Sequence, residues 1–143
     1  MIDRLSKPRW KLVPVIATVA VACIASAQAA APTVDLTVAP AHPYVDDNLR
    51  VAFTDTRSLP AGSEVDAVLF GTGVCSSTLA AKTIKGPRSS GRRFNLRFRP
   101  ADQIVGSGVE WCQGKAKVRI TEAKNYSFVR KLAQKTIRFR AKP

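Results

Sequence analysis

The sequence predicts an all-β protein: an antiparallel two-sheet sandwich of about seven strands behind an N-terminal leader. Three observations carry this. Short stretches in which apolar and polar residues alternate recur at spacings of about ten to fifteen residues, punctuated by Pro, Gly, Asn and Asp. No stretch shows a convincing helical period. Finally, Cys75 follows one alternating run, residues 63–70, and Cys112 opens another, residues 115–120. If these runs pair antiparallel, the end of the first lies beside the start of the second, and the two sulfurs meet there.

The first 29 residues read as an export signal. Arg4, Lys7, Arg9 and Lys11 precede an apolar run over 12–24 and then small residues, with Ala27-Gln28-Ala29 completing a cleavage pattern. Cleavage is expected after Ala29, with Ala27 as second choice. An uncleaved anchor and lipidation at Cys23 are the competing readings. Without the leader, two cysteines are left in an oxidising compartment, where a disulfide between Cys75 and Cys112 is the default. The predicted domain is residues 30–143, enough for one core of its own.

Within it, residues 34–38 alternate and are stopped by Pro40 and Pro43, as a first edge strand would be. Residues 49–54 place Leu49, Val51 and Phe53 on one face and Arg50, Ala52 and Thr54 on the other. In residues 63–70, Val65, Ala67 and Leu69 face inward while Glu64 and Asp66 face outward. Gly71-Thr72-Gly73 closes that strand; a Gly-x-Gly cradles phosphate only ahead of a helix, and none is predicted here. Residues 78–84 form either a short connecting strand or irregular chain. Loop 85–91 is rich in Gly, Pro and Ser.

The cleanest alternation is 92–99, with Phe94, Leu96 and Phe98 against Arg93, Asn95, Arg97 and Arg99. Then Ala116, Val118 and Ile120 alternate with Lys115, Lys117 and Arg119. Asn125-Tyr126-Ser127 is a turn and a formal glycosylation acceptor. The last strand is expected over 136–142, with Arg138 and Arg140 facing out. Residues 128–132 join the same hairpin across an irregularity near Ala133-Gln134, where the parity of the apolar residues breaks.

Trp111, Cys112, Gly114 and Val118 form a Trp-Cys-x-Gly-x-x-x-Val stretch. In this the chain resembles a bacterial secreted immunoglobulin-like domain with a single disulfide. The resemblance implies the sandwich fold and no particular activity. The chain departs from antibody-type domains, which bridge the second and sixth strands and carry the tryptophan on the third.

Charge separates sharply along the chain. Residues 30–80 hold two basic and six acidic side chains, a net of −4; residues 81–143 hold seventeen basic and three acidic, a net of +14. Alternation puts the excess on surfaces. Lys115, Lys117, Arg119, Arg138 and Arg140 are expected on one outer face, partly neutralised by Glu64 and Asp66 of the flanking third strand. Arg93, Arg97 and Arg99 are expected on the other, continuous with Arg92 and the preceding loop. These nine cations are the candidate anion-binding residues.

The expected partners are anionic cell-envelope polymer or lipid headgroups, in a secreted or envelope-associated setting. Nucleic acid is disfavoured because stacking aromatics are few. Catalysis is not expected: His42 is the single histidine, no nucleophile has a second candidate base, and the carboxylates are scattered. No metal or cofactor is expected, since both cysteines are committed to the bridge and clustered His or Met ligands are missing. The alternatives are a structural or protein-interaction module docking a partner strand at a sheet edge, and a small secreted cationic effector or inhibitor.

Overall fold

In a computed structural model, residues 34–143 are described. The leader, its cleavage position and Cys23 lie outside the described residues.

The chain forms seven strands: β1 (Asp35–Ala39), β2 (Leu49–Asp55), β3 (Ser63–Gly71), β4 (Thr78–Lys85), β5 (Arg92–Phe98), β6 (Gly114–Lys124) and β7 (Ser127–Phe139). They make two antiparallel sheets, β1-β2-β5 and β4-β3-β6-β7. The ambiguous segment 78–84 is thus a strand. Its apolar residues, Leu79, Ala80 and Ile84, are buried against the core, which ties an irregular pattern to the edge of β3.

Period-two alternation sets the faces. β3 alternates buried and half-buried residues along its whole length, with Val65, Ala67 and Leu69 almost wholly buried. Opposite them stand Leu49, Val51, Phe53 and Phe98 of the three-stranded sheet, all without exposed surface. Val118, Ile120, Ile137 and Phe139 complete the core. Trp111 enters it from the loop before β6: it is 2% exposed, stacks on Phe139 with ring centroids 5.5 Å apart, and donates its indole N–H to Asp47 O at 2.8 Å. That bond gives a buried polar tip the partner it requires.

The sheets are joined along one side by the loop after β1. Val45 N–H donates to Arg140 O at 3.0 Å, and Arg140 N–H donates to Pro43 O at 2.9 Å, so this loop pairs with the end of β7. At the same end of the sandwich, where β3 finishes and β6 begins, lies the disulfide Cys75–Cys112, with Cα atoms 6.0 Å apart. Gly71 lets the chain double back there, because a Cβ at this position would collide with the Cys75 carbonyl. Gly71-Thr72 leads into a single 3-10 turn, Gly73–Cys75, which is no phosphate-cradling helix.

β7 is longer than the sequence indicates and continuous through the predicted irregularity. Its register against β6 shifts twice, skipping Leu132 and Val129. These are bulges in which two residues of one strand oppose one of its partner. They explain why the apolar parity fails to carry along the hairpin.

Candidate anion-binding faces

The outer face of the four-stranded sheet carries the first row of cations. Register places Lys115 directly opposite Arg138, Lys117 opposite Thr136, and Arg119 opposite Gln134. On its other side β6 pairs with β3, where Lys117 meets Phe70 and Arg119 meets Val68. Glu64 and Asp66 fall instead beside Ala123 and Thr121. Neither acid therefore stands directly across from a cation of the row. Antiparallel pairing carries the acidic start of β3 to the far end of β6, and Asp66 accepts a hydrogen bond from Thr83 across β4.

Two members of the row have structural ties. The Arg119 guanidinium lies 4.6 Å from the centre of the Phe70 ring, and its Nε donates to Gln134 Oε1 at 3.2 Å. Arg140 stacks on Tyr44 at 4.6 Å and donates to His42 O at 2.7 Å, holding the loop that closes the sandwich. Such stacking leaves the charge in place while fixing its position.

The outer face of the three-stranded sheet carries the second row. Arg97 stands directly opposite Arg50 of β2, and Arg93 opposite Thr54. Arg50 belongs to the same row but was not among the cations expected there. Its outward direction is readable from alternation, whereas its place beside Arg97 requires the non-consecutive pairing of β2 with β5.

Two expected members leave this row. Arg92 has the inward parity of Phe94 and Leu96 and stands opposite Asp55 at the end of the sandwich. Arg99 lies just beyond β5, where Pro100–Asp102 makes a 3-10 turn. Its guanidinium donates to Asp102 Oδ1 at 2.9 Å and its backbone N–H donates to Oδ2 at 2.9 Å. These bonds hold the Asp102 carboxyl down at about 2, below its ordinary 3.8.

The acids of the described residues are largely engaged away from the rows. Asp102 binds Arg99 and lies 3.7 Å from Lys82. Glu122, on the core side of β6, joins Arg57 at 2.8 Å and Arg130 at 2.9 Å. Asp55, 5% exposed, lies 3.8 Å from Arg57. Asp46 pairs with Lys142 at 2.7 Å, a bond that lowers the carboxyl's pKa. Among the described residues, Arg50, Arg93, Arg97, Lys115, Lys117, Arg119 and Arg138 pair with no carboxylate. Each face thus sets two like charges directly across a strand pair, an arrangement that costs stability. Such faces can accept anionic groups. His42 is exposed in its loop, and no group of three or more metal-ligating side chains occurs among the described residues.

Two features were missed at the sequence level. Val68 and Phe70 are half-buried on the outer face of β3, where the alternation of Val65, Ala67 and Leu69 already required them to point. A cleft of about 440 Å³ beside the disulfide is bordered by exposed Val74 and Val105, and Glu110 is the one charged side chain lining it. No family model matches the chain, and no curated protein matches it.

Proposed function

We propose that this protein is a non-catalytic immunoglobulin-like binding domain whose two basic outer faces hold it to an anionic component of the cell envelope. The observation that carries the reading is the two pairs of opposed cations, Lys115 with Arg138 and Arg50 with Arg97, none of them paired with a carboxylate among the described residues. An anionic ligand relieves the repulsion within each pair, so charge that burdens the fold becomes binding energy. The immunoglobulin-like assignment is supported by strands one, two and five in one sheet with three, six and seven in the other. The fourth strand departs from the constant-type pattern by joining the latter sheet. A location outside the cytoplasm is supported by the leader and the disulfide.

The test is retention on a soluble or immobilised polyanion as salt is raised. Wild type is retained at low salt and released as salt rises, because screening and counterion competition weaken such contacts. Replacing Arg50, Arg97, Lys115 and Arg138 with glutamine removes most of the retention while leaving the stacked Arg119 and Arg140 in place. Retention that ignores salt, or survives all four substitutions, contradicts the proposal. The aliphatic border of the cleft beside the disulfide favours a second reading, a protein partner. Its binding would persist in high salt.

A further inference from the structure

The β6–β7 hairpin reverses at Asn125-Tyr126, both with positive φ, 50° and 65°. This is the mirror-image two-residue turn that suits paired strands and favours Asn-Gly. A tyrosine in the second position is strained, because its Cβ crowds the backbone in that conformation. Asn125 N–H donates to Gly62 O at 3.0 Å and anchors the turn, but the ring is left open: Tyr126 is 89% exposed, and Phe128 and Val129 beside it are 69% and 48% exposed. Three apolar side chains within four residues therefore project from one tip.

Around the tip the cations Lys85, Lys124, Arg130 and Lys131 outnumber the acids, Glu122 and the half-buried Glu64, which stands opposite both Ala123 and Lys85. Lys124 and Lys131 are exposed and pair with no carboxylate among the described residues, and Arg130 is tied to Glu122. Phe128 is also continuous with the outer sheet face: together with Val68, Phe70, Thr121 and Arg119 it borders a shallow cleft of about 400 Å³. The surface thus combines an aromatic point, a cationic collar and a half-apolar flank. A soluble polyanion matches the collar and offers nothing to the point. A lipid surface matches both: aromatic rings settle at the headgroup level, lysine stems lie along the apolar boundary with their ammonium groups outward, and anionic headgroups attract the collar.

We propose that the β6–β7 hairpin inserts Tyr126, Phe128 and Val129 into the interface of an anionic lipid bilayer, with Lys124 and Lys131 meeting the headgroups. This rests on the reading of the basic faces as anion-binding and names the anionic component they meet.

The experiment is co-sedimentation with phosphatidylcholine vesicles containing phosphatidylglycerol, run beside retention on soluble dextran sulfate. Charge is kept constant by comparing wild type with Tyr126→Gly/Phe128→Ser, whose folding is checked by circular dichroism. The double variant is expected to bind vesicles about tenfold more weakly or worse, from the lost apolar burial, while its dextran sulfate retention is unchanged. In Tyr126→Trp, brominated lipid is expected to quench fluorescence beyond any quenching seen in the parent chain. Equal vesicle binding by wild type and the double variant overturns the proposal, as does the lack of added quenching. Wild type that binds dextran sulfate but not vesicles overturns the insertion alone; failure on both overturns the anion-binding reading as well.

Discussion

Tyr126 is where a single residue says most, because its cost to the fold can be measured separately from its use. A left-handed backbone costs a non-glycine residue about 1–2 kcal/mol, and glycine returns part of that through its greater freedom when unfolded. Tyr126→Gly is accordingly expected to stabilise the protein by about 0.5–1 kcal/mol in urea unfolding; a loss of stability would show that the ring packs on something after all. Asp102 makes a different statement. Its carboxyl is depressed to about 2, first by the Arg99 side chain and then by the Arg99 backbone. A carboxyl lowered in the folded state contributes stability that is complete above its ordinary 3.8 and lost as pH falls toward 2. Asp102→Asn should therefore flatten the acid limb of the stability–pH curve in that window, and an unchanged limb would assign it to other carboxyls. The Arg99–Asp102 contact spans three residues around Pro100 and so lay within reach of the sequence. The link between Arg57 and Glu122 did not, since it spans 65 positions and joins the end of β2 to the core side of β6.

At the scale of the element, legibility followed periodicity. β3 and β5 announce their inward faces because every second residue obeys the rule, and the structure keeps those faces. β4 was ambiguous because Leu79 and Ala80 are adjacent, which breaks alternation, and only its pairing with β3 resolves it. β7 was split because two bulges shift its parity, and a bulge is a relation between strands that one strand's sequence does not display. Outward directions of the cations were legible, but their neighbours were not. Glu64 and Asp66 lie on the correct face yet at the wrong end, since antiparallel register pairs the start of β3 with the end of β6. The Lys115–Arg138 pair follows from the same register and makes a stability prediction. Lys115→Glu converts repulsion into attraction and is expected to stabilise by roughly 0.5 kcal/mol, read from the thermal midpoint, while weakening polyanion retention. Stability and retention rising together would break the proposed link between them.

Across the whole molecule, acids act as internal fasteners while cations gather outside. Asp46, Asp55, Asp102 and Glu122 each hold a basic partner at a loop or at the margin of the core, and the net charge of residues 30–143, −4 from 30–80 and +14 from 81–143, leaves an excess of +10 on the domain. A sandwich with this much self-repulsion gains from a covalent tie at one end. Closing a loop with a sequence separation of 37 contributes about 4 kcal/mol in the chain-entropy model, so reduction of Cys75–Cys112 should lower the unfolding free energy by up to about that amount. High salt, which screens repulsion between the cations, should raise the stability of the bridged and the reduced protein alike. The central claim is tested most directly by following backbone amide shifts, residue by residue, as a soluble polyanion is titrated into the folded protein. The account predicts saturable, salt-sensitive shifts concentrated on β2 and β5 around Arg50 and Arg97, and on β6 and β7 around Lys115 and Arg138. Shifts confined to the cleft beside the disulfide, or none at either pair, would contradict it.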